Sequence, residues 1–448
     1  MRPLKYAFTV LLLVWLSLGD FERCSAYAVF THEQMIDLAW QPAIRPLLLA
    51  RFPKTSEAQL REAHAYAYGG CAIQDLGYYP FSHHFFSDLT HYVRSGDFID
   101  SLFRNAKTVD EYAFAIGALS HYIGDTVGHS DAVNPSTAIA FPSLEKKYGK
   151  VVTYYESPHA HVRTEFAYDV NQLAHDRFAP APYLRSIGLG VPRKLLEKAF
   201  FETYGLSLHE VLGDERPAIR SYRFAVRSLL PRFAYAEVLI HRKKFPEDPP
   251  VPEFLEFQRR LDQADSQKVW SSYRNKAGFE THLVALLIRI VPKVGAASDL
   301  AIRGPNEQTE LLYVRSVNRA DSDFKRSLAA LAKTSRGVPK LPNRDLDTGY
   351  KIRPGGYPLT DKTYANLLHQ ITKDPKQPVP EGLRQDILEY YADPNAPIVT
   401  KKNPRAWQRV LSEMAVLKQM RPAAPTDTPS EPDTPGDPLT DDPPTHNY

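Results

Sequence analysis

The run from Val109 to His129, VDEYAFAIGALSHYIGDTVGH, is apolar around most of a helical wheel, yet it sets His121, Asp125 and His129 four residues apart. A helix that is apolar on nearly every side belongs inside a protein. Residues at i, i+4 and i+8 lie along one side of such a helix, drifting slowly around it. The chain must therefore surround this helix with other helices and also satisfy a buried His–carboxylate–His stripe. Imidazole nitrogen and carboxylate oxygen are ligands for zinc, and one helix presents them at four-residue spacing.

The remaining sequence supplies the surrounding helices. Apolar residues recur at helical spacing over 32–52, 56–76 and 158–178, and again over 192–203, 216–242, 252–265, 277–292 and 320–333. Clear hairpin signals are missing, and KKYGKVVTYYES (146–157) is the one strand-like stretch. The expected class is mostly α. Prolines cluster at FPEDPPVPEF (245–254), which suggests a soft boundary. The expected division is a catalytic domain over 27–245 and a mostly helical region of unknown role over 246–420. Within the latter, 341–368 is expected to be irregular because of its Gly and Pro punctuation. The last part, 421–448, is Pro, Thr and acid with almost no apolar residue, a composition expected to stay disordered.

The start of the chain reads as a signal peptide over 1–26. Two early positive charges precede an apolar stretch from Tyr6 to Leu18, short for a spanning helix. Cleavage after Ala26 or after Ala28 fits a small-x-small rule, and an uncleaved membrane anchor is the alternative. The expected location is secreted or periplasmic. Of the two cysteines only Cys71 would remain, so an internal disulfide is excluded and packing or metal must stabilise the mature chain. The net charge of +3 is compatible with phosphate-bearing partners but does not argue for them.

A His-x3-acid pair is weak by itself. Roughly 1.7 are expected by chance at this composition, and the chain has three, at His84/Asp88, His121/Asp125 and His161/Glu165. The extended His-x3-acid-x3-His at 121–129 is far rarer. Order along the chain adds to it. His32 comes first, in YAVFTHEQ, then Asp75 and His91 in the stretch 69–93. His121, Asp125 and His129 follow, and then His161 and Glu165 in HVRTE.

This succession resembles the zinc-dependent phospholipase C and S1/P1 nuclease superfamily, and within it a bacterial zinc-dependent phospholipase C branch. The resemblance covers roughly 27–170 and continues less clearly to about 215. It implies an all-helical phosphodiesterase with up to three zinc ions in one cleft. Asp75, His91, His121 and Asp125 would hold one ion, and His129, His161 and Glu165 a second. His32 would hold a third together with the new N-terminal amine and carbonyl of Tyr27, sharing Asp125. Tyr27 lies five residues before His32, so a cut after Ala26 would complete that third site. Two departures stand out. Tyr27 replaces the family's Trp, and only three residues separate Asp125 from His129 where the family has five. His159 competes with His161, and His83 and His84 compete with His91. His64 and Tyr66, Tyr68, Tyr78, Tyr79 and Tyr92 lie near ligands in sequence, where they would support the imidazoles or simply fill the core.

The implied chemistry is hydrolysis of a phosphodiester by a metal-activated hydroxide, with Asp75 as the catalytic carboxylate that orients or deprotonates the water. The expected substrate is a phospholipid at a membrane surface, since Glu165 leans towards the phospholipases. A nucleic-acid substrate, as for a single-strand nuclease or 3′-nucleotidase, is the runner-up. A non-catalytic helical metal-binding protein is the third reading. Against it, purely structural zinc favours cysteine-rich sites.

Overall fold

The computed structural model describes residues 29–241, 248–264, 270, 272–273, 304–334 and 341–423. The expected leader, the helix at 277–292 and the tail from 424 onwards lie outside them. The described chain is built of helices, as a mostly α sequence requires. Its β pairing is confined, among the described residues, to two isolated bridges, Arg344 with Lys351 and Val379 with Pro422. Among them, too, no helix is long and apolar enough to cross a membrane.

The helices that place the site are α1 (Val29–Ala39), α2 (Glu57–Gly70), α3 (Phe85–Tyr92), α4 (Val109–Gly128), α5 (Pro158–Ala174), α6 (Pro252–Gln263), α7 (Glu307–Ala332) and α8 (Pro358–Thr372). Helix α4 is the central one and is buried from Tyr112 to Asp125 without a break. Its start is set by a capping box. The Thr108 side chain accepts from the Glu111 amide, and Glu111 reaches back to the Thr108 amide. Helix α2 begins the same way, with Ser56 and Gln59.

Helices α2 and α4 pack more extensively on each other than any other pair. The sequence reason is a pair of glycines at the crossing. A Cβ on Gly70 would lie 2.1 Å from the Phe114 carbonyl oxygen, and one on Gly117 would lie 2.2 Å from that of Ala67. Both distances are far inside van der Waals contact, so only glycine lets the two backbones touch. This contact seats α4 deep enough for its polar stripe to face inwards.

The region after the proline cluster packs into the same body. Helix α7 crosses α4 and also touches α1. Leu38 of α1, Tyr168 of α5, Phe254 and Phe257 of α6, and Tyr313, Val314 and Val317 of α7 form one buried apolar cluster. At about 25 cal/mol per Å² of apolar surface, aromatic residues dominate the energy of such a cluster.

Several expected boundaries shift for local reasons. The run 32–52 is broken by a π-helical turn at Trp40–Ile44 that contains Pro42, which has no amide proton to donate. The expected helix at 56–76 stops at Gly70, and a 3₁₀ turn follows at Ile73–Tyr78. The strand-like stretch 146–157 is not a strand. Gly149, at φ +92°, ends a short helix, and the Thr153 amide turns back onto Glu156. Among the described residues no strand offers its β-branched residues a ladder, and Val152 and Thr153 are buried in irregular backbone instead. Only the first half of 341–368 is irregular, since α8 starts at Pro358. Arg421 to Ala423, expected in the tail, pair with Val379 instead. The Val379 amide donates to the Arg421 carbonyl and the Ala423 amide donates to the Val379 carbonyl.

Candidate metal centre

Eight of the nine expected ligands meet inside the helical body; Tyr27 lies outside the described residues. All eight are at most 2% exposed. They fall into three groups, within each of which the ligand atoms lie within 4.8 Å of one another: His32, His121 and Asp125; Asp75, His91 and His121, sharing His121 with the first; and, separate from both, His129, His161 and Glu165.

Asp125 is the hub. His32 Nε2 lies 3.2 Å from its Oδ1, and His91 Nε2 and His121 Nε2 lie 3.3 Å and 3.0 Å from its Oδ2. Asp75 Oδ1 is 3.4 Å from His91 Nε2 and 3.9 Å from His121 Nε2. In the other group, Glu165 Oε1 is 2.8 Å from His161 Nε2 and 3.6 Å from His129 Nε2. The short Asp125–His129 spacing does not prevent the second group from forming. Eight residues of helix rise separate His121 from His129 by about 12 Å along the axis. His121 therefore serves the first groups, and His129 reaches the stripe His161–Glu165 on α5. A π-helical turn starts at His129.

The rings are held by their far nitrogens. His91 Nδ1 lies 2.8 Å from the Ser87 carbonyl oxygen, His121 Nδ1 3.0 Å from that of Cys71, and His129 Nδ1 2.7 Å from that of Leu346. A carbonyl accepts only, so each Nδ1 carries the proton and donates it. In the neutral ring each Nε2 then presents a lone pair to the centre. His91 Nε2 and His121 Nε2 face one another at 3.4 Å. Lone pairs also meet the carboxylate oxygens. Asp75 Oδ1, both oxygens of Asp125, Glu165 Oε1, His129 Nε2 and His161 Nε2 are buried without a hydrogen-bond partner among the described residues. Each such group costs about 1–3 kcal/mol, more if charged. Together they would offset most of a domain's net stability of about 5–15 kcal/mol. The donor set calls for cations, and its N/O composition fits zinc.

The titration behaviour of the side chains repeats that demand. Burial pushes His91 down, but Asp125 and Asp75 outweigh it and raise it to about 10. Burial pushes Asp125 up, but His121, His32 and His91 hold it well below the usual carboxylate range. Burial alone dominates in the other group: it lowers His129 to about 4 and His161 well below its usual value, and raises Glu165 well above its own. Around Asp125 the site thus attracts positive charge where ions would sit, while burial keeps the imidazoles of the other group neutral, the form that ligates a metal.

The competing histidines separate by burial. His83 and His84 stack on each other at 4.6 Å, and both are exposed, as is His159. Only His91 and His161 point inwards. His64 does not support a ligand: its ring stacks on Trp40 at 3.8 Å and its Nε2 lies 3.7 Å from Asp37, to which Tyr68 also donates. Tyr66 packs against Gly190 and Tyr79 against Tyr222, so both are core residues. Tyr78 and Tyr92 do adjoin the site, with ring centroids 6.1 Å and 5.9 Å from that of His91.

Two functional carboxylates escape a reading of the ligands alone. Asp169 accepts from the Phe30 amide at 3.0 Å and the Thr31 hydroxyl at 2.7 Å. It thereby fixes the first turn of α1, and with it His32. Its place four residues after Glu165 extends the His161–Glu165 stripe by one turn, a spacing that would have revealed it. Asp347 lies 3.3 Å from His129 Nδ1. It sits in the irregular segment, and no periodicity announces it.

Compared with known proteins, residues 31–213 match the family model described as zinc dependent phospholipase C. No curated protein and no solved structure matches the chain.

Proposed function

We propose, from the match of residues 31–213 to the zinc-dependent phospholipase C family, that this chain is an exported phosphodiesterase that cleaves the headgroup phosphodiester of phospholipids. The observation that carries this reading is the buried donor set around Asp125, in which the Nε2 atoms of three imidazoles converge on one carboxylate.

Asp75, His91, His121 and Asp125 would hold one ion, His129, His161 and Glu165 a second, and His32 with Asp125 a third. Bound zinc supplies the charge that neutralises an anionic phosphodiester and the acidity that readies an attacking water. The chain's own residues do the rest. Asp125 ties His32, His91 and His121 to one point, so the first and third positions are fixed relative to each other. The carbonyls of Ser87, Cys71 and Leu346 hold three rings in the tautomer that turns Nε2 inwards. Asp75, whose buried Oδ1 faces His91 Nε2 at 3.4 Å, would be the carboxylate that orients or deprotonates the attacking water. Asp75→Asn should therefore lower the rate far more than the zinc content; an equal fall in both would leave Asp75 a ligand only.

The substrate class is tested on the zinc-loaded mature chain with two substrates, phosphatidylcholine vesicles and single-stranded DNA. Phosphocholine release without DNA degradation is the expected result. DNA degradation alone would replace this reading with a nuclease. The burial of all eight ligands also suits a metal site with a purely structural role, and tightly held zinc without either activity would establish that role. Metal analysis should find two or three zinc ions per chain.

A further inference from the structure

The matched family segment ends at residue 213, yet the wall of the metal centre does not. The irregular segment from Asn343 to Tyr357 runs back across α3 and α4. It is anchored beside His91: the Leu346 amide donates to the His91 carbonyl at 3.1 Å, the Ser95 hydroxyl donates to the Arg344 carbonyl at 2.6 Å, and the Asp97 amide donates to Asn343 Oδ1 at 3.0 Å. Gly349, at φ +73°, lets it pass against α4, where a Cβ would lie 2.5 Å from the Thr126 carbonyl oxygen.

Two consecutive residues of this segment meet one ligand. The Leu346 carbonyl lies 2.7 Å from His129 Nδ1, and Asp347 Oδ1 lies 3.3 Å from the same nitrogen. Asp347 is itself held in place. Tyr92 donates to its Oδ2 at 3.1 Å, the Tyr357 hydroxyl donates to the same oxygen, and Asn134 Nδ2 donates to its carbonyl at 2.7 Å. A buried carboxylate beside the far N–H of a metal-ligating imidazole fixes its tautomer and raises its basicity. His129 needs that support. Burial strips its ring of solvent, and its Nε2 lies 3.6 Å from Glu165, further than that of His161.

We infer that the region beyond the family segment completes the metal centre, with Leu346 and Asp347 as positioning residues that aim His129 Nε2 at the ion shared with His161 and Glu165. The same region braces the opposite end of the centre. Tyr313 of α7 shares a hydrogen bond with the Thr31 hydroxyl at 2.9 Å, next to His32. This gives Tyr313 and the segment 343–357 a role in the site. The inference rests on the reading that His129, His161 and Glu165 hold an ion.

The test is the stepwise zinc affinity of the full mature chain, titrated in buffers of fixed free zinc, for wild type, Asp347→Ala and Asp347→Asn. Asp347→Ala should weaken one ion by roughly 10–100-fold and leave the others as they are. Asp347→Asn, which keeps the shape and removes the charge, should weaken the same ion. Metal-free Asp347→Asn, whose amide oxygen can still accept from Tyr92 and Tyr357, should melt close to the wild type. Equal weakening of every ion, or a metal-free variant that melts lower by as much as the loaded one, would reduce Asp347 to a packing role and overturn the inference. So would a wild-type protein that keeps its ions and variants that keep them equally well. A wild-type chain that holds no ion at this site overturns the reading beneath the inference and the inference with it.

Discussion

Asp125→Asn should remove at least one zinc ion per chain and lower kcat/KM on phosphatidylcholine by ~10³-fold or more. The size follows from what Asp125 touches. It faces His32, His91 and His121 at 3.0–3.3 Å, so it serves two of the three ligand groups at once. An amide of the same shape keeps one oxygen but loses the charge and turns an NH₂ towards an imidazole lone pair. Metal-ion stabilisation of a phosphoryl transition state is worth several kcal/mol, and each 1.36 kcal/mol is tenfold in rate. Metal content measured by mass spectrometry and steady-state rates on the same preparation decide it. Full zinc content with an unchanged rate would show that Asp125 is not the shared ligand.

Chelation should produce the second large effect, on stability rather than rate. An ion that binds only the folded chain stabilises it by about 4 kcal/mol when its free concentration is a thousandfold above Kd. The loss of one such ion should lower the melting temperature of a chain this long by about 5 °C, and the loss of two or three by more. The physical source is the set of buried oxygens and nitrogens that have no other partner. Differential scanning calorimetry before and after a strong chelator measures this, and added zinc should restore the transition. A chelated protein that melts at the original temperature would mean that these groups find protons or water sufficient, and the zinc centre would lose its structural support.

The two effects should separate in partial variants. Replacing His129, His161 or Glu165 touches one ligand group, whereas Asp125 touches two. The distance between the groups comes from helix rise alone. His121 and His129 share one side of α4 but sit about 12 Å apart along it, and each therefore works with a different neighbour helix. This is also why the short Asp125–His129 spacing matters less than it looks. His129 has only to meet His161 and Glu165 on α5, and the packing of α5 can adjust to a difference of two residues, about half a turn.

Much of this centre was legible before any coordinates. His121, Asp125 and His129 declare themselves by four-residue spacing on an apolar helix, and His161 with Glu165 by the same rule. Asp75 and His91 are singled out by the resemblance to the phospholipase C and S1/P1 nuclease superfamily. Burial then chose between neighbours that spacing left equal, placing His91 and His161 inside and His83, His84 and His159 outside. Where local reading went astray, at 146–157, β-branched residues had propensity but no partner strand, and sheet structure needs a partner.

By itself, then, the sequence determined the helices and the ligand stripe, because helical periodicity is a property of a few adjacent turns and repeats every 3.6 residues. Only the tertiary structure decided that Gly70 and Gly117 bring two backbones together, that Asp169 holds the start of α1, and that Leu346 and Asp347 close on His129 from 217 and 218 residues away. Such contacts are made by irregular backbone and by chain that returns from far along the sequence. They carry no period, and they exist only once the core has brought distant segments to the same point.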